Sequence, residues 1–253
     1  MYDLRHLKED VNCLRWEETT LVLVTGHRGI AGLEPENTIR SFKSALALSV
    51  DQVELDVHFT KDRELVVIHD ATVDRTTNGR GPVQAYTLDE IQRLDAGEGE
   101  RVPTLQEVID LVMGQAVLQI ELKGLGVEEA VVKKIEENGI VDEVILTSFR
   151  HYMVRKAKVF NPRVSTGVLF LGLPLDASRL ARNAGAEGLH PNVNYLDAHL
   201  VEDGHRYGLK VRAWNTDNPE QMRWLIDLGV DAIGSNRPDI LLDVIKNHNR
   251  KPE

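Results

Sequence analysis

Short apolar runs that alternate with longer amphipathic ones are the feature of this 253-residue chain that most restricts its fold. The short runs have the length and branched-chain content of β-strands, and most are separated by segments of helical periodicity. The strand-like runs are 21–25, 52–59, 64–69, 117–122, 143–148, 164–170, 187–190, 210–214 and 230–235. Strand–helix alternation of this extent implies a parallel sheet, and at this size we predict a closed eight-stranded β/α (TIM) barrel.

One connection in this pattern is too short for parallel strands. Only Thr60 to Arg63 separate the second run from the third, whereas a parallel crossover needs about a dozen residues. The third run is therefore predicted to fold back on the second as an antiparallel hairpin, which leaves eight runs for the barrel. The hairpin returns His69 to the rim of the barrel where Glu54 and Asp56 also lie.

The segment from Ala71 to Val102 interrupts the alternation. It is rich in Gly, Thr and Asp and has no repeated strand–helix pattern. We interpret it as a small insertion after the second strand, 71–102, which lies on the rim and is not a separate domain. The predicted organisation is an N-terminal helical extension, 1–20, followed by a single barrel domain, 21–253.

Composition excludes several classes of partner. The net charge is −10, with acidic residues spread along the chain, so nucleic acid and anionic membranes are not expected as partners. Cys13 is the single cysteine, so no intrachain disulfide can form. The N-terminal segment is charged throughout and no run reaches the roughly 18 apolar residues of a membrane span. We expect a soluble, cytoplasmic protein without a stable membrane anchor, and the oligomeric state stays open.

Acidic side chains cluster where the predicted strands end, which is where a barrel carries its reactive groups. Glu54, Asp56 and Glu121 are oxygen donors on neighbouring strands, and residues two apart on a strand face the same side. All-oxygen ligation suits Mg²⁺, Ca²⁺ or Mn²⁺ better than zinc. The alternative is a set of salt bridges with Arg28 and Lys123. That alternative would be favoured for a single carboxylate, but three at matching strand ends favour a divalent cation.

Two histidines end strands at the same rim. A histidine side chain in general titrates near neutrality, so His27 and His69 would serve as base and acid in one displacement, although either alone would more often be a packed or surface residue. Arg28 and Lys123 add positive charge that, with a cation, would hold a phosphate. Trp214, at the end of another strand, is as consistent with a wall of a substrate pocket as with the core. The stretch PENT (35–38) is a helix start that Asn37 or Thr38 would cap.

The combination of these motifs resembles the glycerophosphodiester phosphodiesterase family. GHRG…PENT, ELDVHFTKDRELVVIHD and IELK occur in this order from Gly26 to Lys123, and the later WN and GVDAIGSNRPD are also similar. The resemblance covers nearly the whole chain apart from 1–20. SNRPD stands where the family often has Thr-Asp before its proline, which places Asn236 and Arg237 at the rim.

The resemblance implies a β/α barrel with a small insertion after the second strand. It implies a divalent cation and the cleavage of a glycerophosphodiester to glycerol 3-phosphate and an alcohol. The residues that it implies are Glu54, Asp56 and Glu121 on the cation, His27 and His69 as the acid/base pair, and Arg28 and Lys123 on the phosphate. We favour His27 as base and His69 as acid, and the nucleophile is either water or the glycerol 2-hydroxyl.

Two other functions stay open at the level of the sequence. A related barrel enzyme, a lysophospholipase D or a phosphoinositide-cleaving lipase, would need an apolar or basic rim. We expect a modest apolar lip from Val83, Tyr86, Leu88 and the stretch LFLGLPL (169–175). A non-catalytic barrel that binds phosphorylated ligands is the remaining alternative, and the presence of both histidines and all three carboxylates argues against it.

Overall fold

The computed structural model describes residues 22–249, which form a β-barrel surrounded by α-helices. The strands are β1 (Leu23–Gly26), β2 (Gln52–Phe59), β3 (Leu65–Val67), β4 (Val117–Leu122), β5 (Val144–Ser148), β6 (Ser165–Phe170), β7 (Gly188–Pro191), β8 (Lys210–Ala213) and β9 (Ala232–Ser235). The helices are α1 (Ile39–Ala47), α2 (Leu88–Ile91), α3 (Leu105–Val112), α4 (Glu128–Glu137), α5 (His151–Phe160), α6 (Ala177–Ala184), α7 (Ala198–Arg206), α8 (Pro219–Asp227) and α9 (Pro238–His248).

The sheet closes on itself as predicted. The strand order is β1-β9-β8-β7-β6-β5-β4-β2, and a further parallel pairing of β1 with β2 completes the ring. Each of these eight strands pairs in parallel with its neighbours. The eight-stranded β/α barrel is therefore confirmed. The helical extension predicted for 1–20 lies outside the described residues, so the boundary at residue 20 stays a prediction.

The hairpin between the second and third runs is also confirmed. β3 pairs antiparallel with β2, with Val57 opposite Val67 and Phe59 opposite Leu65. The predicted third strand, 64–69, is longer than the observed one. The chain leaves the ladder after Val67, but the Ile68 N–H still donates to the Asp56 carbonyl (3.0 Å), which keeps the following His69 beside the end of β2.

The alternation along β2 directs its polar side chains into the barrel. Val53, Leu55 and Val57 belong to the main apolar core, and Glu54 and Asp56 alternate with them. All eight residues of β2 are buried, because a barrel strand is covered by helices outside and by other side chains inside. Parity alone therefore places Glu54 and Asp56 inside the barrel.

Helix starts follow the sequence signals closely. The Thr104 side chain and Glu107 form a complete capping box at α3, and Asn218 caps α8 with Pro219 in its first turn. At α1 the cap is Thr38, whose side chain accepts a hydrogen bond from the Ser41 N–H (3.2 Å). This leaves Asn37 free for another role.

The insertion has an apolar core of its own. A second cluster of buried side chains, separate from the main core, spans the hairpin and the insertion: Val66, Ile68, Val73, Val83, Ile91, Ala96 and Val102. The expected contribution of Val83, Tyr86 and Leu88 to an apolar lip is wrong. Val83 is fully buried in this cluster, and the other two pack against it, because the insertion needs these side chains for its own core.

Helices of membrane-spanning length and hydropathy do not occur within residues 22–249.

Candidate active site

One mouth of the barrel brings together the residues selected from the sequence. A cavity of about 200 Å³ opens there, at the carboxyl ends of the strands. It is lined by seven of the eight selected residues: His27, Arg28, Glu54, His69, Glu121, Lys123 and Trp214. The eighth, Asp56, is 1% exposed and lies 3.7 Å from Lys123 Nζ through its Oδ1 atom. The tertiary structure thus gathers into one site residues of β2 and β4, residues that directly follow β1, β4 and β8, and His69 from the end of the hairpin.

Glu54, Asp56 and Glu121 form a compact, buried acidic cluster. One carboxylate oxygen of each lies within 4.8 Å of the others, and Asp56 stands directly opposite Glu121 in the ladder between β2 and β4. Burial and the charge of Asp56 raise the pKa of Glu54 and that of Glu121. Burial would also raise the pKa of Asp56, but Lys123 and Arg28 outweigh it and lower that pKa.

The donor set of this cluster fits a divalent cation. Asp56 Oδ1 is buried without a hydrogen-bond partner among the described residues, which leaves this oxygen available as a metal ligand. The expected alternative of salt bridges is also present: Lys123 Nζ lies 3.1 Å from Glu121 Oε1, and Arg28 Nε lies 3.4 Å from Asp56 Oδ2. Two cationic side chains against three carboxylates leave excess negative charge, so the acidic triad is able to hold a metal ion with hard oxygen ligands.

Arg28 occupies a strained backbone position. Its φ angle is 51°, in the left-handed region that disfavours side chains other than those of glycine and asparagine. The backbone N–H of Arg28 donates to Glu54 Oε2 (3.0 Å), and Nη1 of its side chain donates to Glu36 Oε1 (2.8 Å). The strain is thus offset by contacts that fix the guanidinium beside the acidic cluster.

His27 is held as a neutral ring. The Nδ1 atom lies 2.6 Å from Asn236 Oδ1, and the amide of Asn236 is oriented by its Nδ2 donating to Asp217 Oδ2 (2.9 Å). The ring therefore donates from Nδ1, and Nε2 is left unprotonated, 3.8 Å from Glu54 Oε2. Burial and the nearby charge of Arg28 lower the pKa of His27 to about 4.

His69 has different neighbours. Its Nδ1 atom lies 2.6 Å from Asp70 Oδ1, and its Nε2 atom lies 2.8 Å from Lys123 Nζ. Because an ammonium group only donates, Nε2 is an acceptor in this arrangement and Nδ1 carries the proton. His58 also contacts this segment, with Nε2 donating to the His69 carbonyl (3.1 Å).

Trp214 forms an aromatic wall of the cavity together with Phe149. The two rings meet edge to face, with centroids 5.5 Å apart and an interplanar angle of 86°. Trp214 Nε1 donates to the carbonyl of His190 (2.9 Å), which fixes the indole, and Lys123 Nζ lies 5.9 Å from the Phe149 centroid. The wall supplies apolar surface beside the charged part of the site.

Sequence reasoning missed several residues that contact the site. Asn37 has a φ angle of 58° and donates from Nδ2 to Asp56 Oδ2 (2.9 Å), whereas the sequence indicated only a helix cap. Glu36 binds Arg28, and Arg75 of the insertion reaches both Glu36 and Asp70. For Glu36 and Asn37 the available signal was their place in the PENT stretch. For Arg75 no signal in the strand pattern pointed to the site.

Comparisons with known proteins agree with this geometry. Residues 27–240 match the model of the glycerophosphoryl diester phosphodiesterase family. A glycerophosphodiester phosphodiesterase of Caldanaerobacter subterraneus subsp. tengcongensis is 41% identical over 237 residues, which cover 88% of this chain and 98% of that protein. A glycerophosphodiester phosphodiesterase of Bacillus altitudinis is 33% identical over 232 residues, 85% and 95% of the two chains. A phosphodiesterase of Oleispira antarctica, solved in complex with the product sn-glycerol-3-phosphate, has a TM-score of 0.82 at 28% identity and matches 89% and 97% of the two chains.

Proposed function

Since the chain belongs to the glycerophosphoryl diester phosphodiesterase family and is thereby a hydrolase of glycerophosphodiesters, we propose that it releases glycerol 3-phosphate and an alcohol by divalent-cation and two-histidine catalysis. One observation carries this proposal: His27, His69, Glu54 and Glu121 line a single cavity, and Asp56 has a carboxylate oxygen within 4.8 Å of those of the two glutamates. Family membership favours the enzyme over a barrel that only binds phosphorylated ligands. The product-bound relative from Oleispira antarctica supports a small-molecule partner.

Glu54, Asp56 and Glu121 would hold the cation, with Mg²⁺ or Ca²⁺ as the first candidates and Mn²⁺ as another. When bound, a divalent cation supplies positive charge against the non-bridging oxygens of a phosphodiester. Arg28 and Lys123 supply further positive charge at the same point, and Trp214 bounds the pocket beside it. These side chains orient the phosphate between the two histidines.

The surroundings of the two rings support different roles. His27 is neutral and presents an unprotonated Nε2, which suits the removal of a proton from the nucleophile. Asp70 lies against Nδ1 of His69, and a carboxylate in that position stabilises the imidazolium that forms when Nε2 takes a proton, which is the state a general acid requires. We therefore assign His27 as base and His69 as acid. If the nucleophile is the glycerol 2-hydroxyl, a cyclic phosphate will accumulate briefly in a rapid-quench experiment, and water will give none.

The cation requirement is tested with metal-free protein. Protein treated with a chelator is expected to release no glycerol 3-phosphate from glycerophosphocholine, and Mg²⁺, Ca²⁺ or Mn²⁺ should restore the release. Glu121→Gln removes one ligand and is expected to raise the half-saturating cation concentration about 10-fold or more. Glu129→Gln, an exposed acidic residue on α4, is the matched control. Full turnover by the chelator-treated protein would refute the metal-dependent chemistry.

A lysolipid is the second candidate substrate, because the loop after β6 exposes three leucines. Leu171, Leu173 and Leu175 are 63%, 51% and 103% exposed, whereas Leu169 is buried in the cavity wall. This loop is the part of the expected apolar lip that the structure retains. Rates on glycerophosphocholine and on lysophosphatidylcholine separate the two candidates. A higher kcat/KM on the lysolipid that falls when the three leucines are replaced by glutamine would favour the lysophospholipase D.

The cytoplasmic location and the absence of nucleic-acid and membrane partners stay predictions. Fractionation of cells that produce the tagged chain would test the location and the membrane association.

A further inference from the structure

We propose that Arg75 of the insertion is a positioning residue, which holds His69 and Arg28 in their working orientations through Asp70 and Glu36. The inference rests on the proposed roles of His69 and Arg28. It gives the insertion a role in catalysis that neither the strand pattern of the sequence nor the acidic cluster indicates.

The first contact joins Arg75 to the carboxylate behind His69. Arg75 Nε donates to Asp70 Oδ2 (2.7 Å), and Nη2 donates to Asp70 Oδ1 (3.2 Å). Asp70 Oδ1 in turn accepts from Nδ1 of His69 (2.6 Å). The forked guanidinium thus fixes both oxygens of Asp70, and through them the ring plane and the protonated nitrogen of His69.

The second contact joins Arg75 to the carboxylate behind Arg28. Nη1 donates to Glu36 Oε2 (2.8 Å) and Nη2 donates to Glu36 Oε1 (2.8 Å), the oxygen that also accepts from Arg28 Nη1 (2.8 Å). Glu36 is therefore shared by two guanidinium groups. Without Arg75, its whole charge would act on Arg28 and draw that side chain away from an incoming phosphate.

The insertion is built to carry Arg75 to this position. Two residues before it, Val73 is fully buried in the second core, and the Val73 N–H donates to the Gly81 carbonyl (3.0 Å). The Thr77 N–H donates to the Val73 carbonyl (3.0 Å), so the turn that contains Arg75 is fixed on both sides. A rigid support of this kind is what an orienting contact requires.

A contribution to folding stability does not account for the contacts of Arg75 with Glu36 and Asp70. The Arg75 side chain is 46% exposed, and ion pairs of exposed groups contribute little to folding free energy. Its four hydrogen bonds link two carboxylates that each hold a separate residue of the active site. Loss of these hydrogen bonds is therefore expected to lower kcat more than it lowers the free energy of unfolding.

The test compares Arg75→Gln with Arg80→Gln at saturating cation. Arg80 lies in the same insertion, its side chain is 83% exposed, and within residues 22–249 it forms an ion pair only with Asp74 (3.8 Å), so the control makes the same charge change away from the site. Arg75→Gln is expected to lower kcat on glycerophosphocholine about 10- to 100-fold with a smaller change in KM and a melting temperature near that of the wild type. Arg75→Lys, which can hold one carboxylate but not both, should be intermediate. The control should match the wild type.

A spectroscopic measurement makes the result specific to orientation. NMR of the ring nitrogens, assigned with a His69→Gln sample, should show a protected Nδ1–H of His69 in the wild type that broadens through water exchange in Arg75→Gln. Unchanged ring signals in Arg75→Gln, or a kcat within twofold of the wild type, would overturn the proposal. A loss of turnover that is fully explained by a lower melting temperature would also overturn it. If the wild type cleaves no glycerophosphodiester, the proposed function fails, and the ring signals still decide the role of Arg75.

Discussion

At the scale of single residues, the backbone of the site is strained where its functional groups lie. Arg28 and Asn37 both adopt left-handed φ angles, 51° and 58°, although asparagine tolerates this conformation better than arginine. Both are held by contacts to the acidic strand, through Glu54 Oε2 and Asp56 Oδ2 respectively. The free energy stored in these positions is of order 1–3 kcal/mol each, which the surrounding packing must offset.

The two histidines belong to the same scale. His69→Ala and His27→Ala are each expected to lower kcat about 100- to 10,000-fold, because each removes one proton-transfer group. The fold should persist, since both rings are at the cavity surface and neither is part of the apolar core. Steady-state rates with glycerophosphocholine, beside circular dichroism, make the measurement.

The matched control for these variants is His199→Ala, an exposed position on α7. It should leave kcat unchanged. Turnover near that of the wild type in His69→Ala would refute the acid/base assignment.

At the scale of elements, the β2–β3 hairpin explains why a barrel strand extends beyond its neighbours. β2 has eight residues, whereas β4 has six and β1 has four. The extra length pairs with β3, and the return of the chain places His69 opposite Lys123 from the end of β4. The hairpin therefore supplies the proposed general acid without using a ninth barrel strand.

A buried carboxylate with two exposed partners, Lys210 and His205, connects elements at the opposite, amino-terminal end of the barrel. Asp231, just before β9, accepts from Lys210 Nζ (2.7 Å) and the Val211 N–H (2.8 Å) of β8, and from His205 Nε2 (2.8 Å) of α7. Burial opposes ionisation, but the hydrogen bonds from Lys210 and Val211 prevail and lower the pKa of Asp231 below its ordinary value of 3.8. The carboxylate therefore stabilises the fold when it is ionised.

Asp231→Asn is expected to reduce the free energy of unfolding by about 2 kcal/mol at pH 7. Because the folded pKa is lowered, the contribution of the carboxylate is complete above pH 3.8 and is lost as the pH falls through the folded pKa. The difference in free energy of unfolding between the wild type and Asp231→Asn should therefore become smaller below about pH 4. Urea titrations at several pH values measure it.

Asp142→Asn, in an exposed ion pair with Arg163, is the control and should change stability little at any pH. If the free energy of unfolding of the wild type exceeded that of Asp231→Asn by a constant amount down to the pH of acid unfolding, the ionised Asp231 carboxylate would not be the source of the stabilisation.

At the scale of the whole molecule, the buried apolar side chains form two separate cores. The main core lies between the barrel and its helices and includes the outward residues of β2. The second core lies under the insertion and holds the segment that carries His69, Asp70 and Arg75 beside the mouth of the barrel. The separation predicts that the insertion can open without unfolding the barrel.

Ile91→Ala tests this separation. Ile91 is fully buried in the second core, and truncation of such a residue costs about 2–5 kcal/mol. We expect amide exchange to accelerate within 71–102 while the strands β4 to β9 keep their protection, and kcat to fall because Arg75 and His69 lose their support. Hydrogen exchange followed by mass spectrometry gives the comparison.

Ile135→Ala, at a fully buried position of α4 in the main core, is the matched control. It should accelerate exchange throughout the barrel. If amide exchange accelerated uniformly along the chain in both variants, the protein would have a single cooperative core, which would contradict the separation into two cores.

By itself, the amino-acid sequence determined the order of the strands, the hairpin and the strand ends that carry Glu54, Asp56 and Glu121. These follow from local rules, since periodicity and the four-residue turn after Phe59 leave few alternatives. It also indicated His27 and His69 as candidates for the acid/base pair, because reactive groups of a barrel lie at strand ends.

Only the tertiary structure decided which loop residues contact these groups. Thr38 caps α1 and Asn37 turns to Asp56, a choice that the sequence left open because either side chain can cap. Val83, Tyr86 and Leu88 pack inward because the insertion closes on the hairpin. Arg75 meets Glu36, 39 positions earlier, because loops from different strands share one rim. Such contacts depend on the three-dimensional course of the loops, and no periodicity in a single sequence specifies that course.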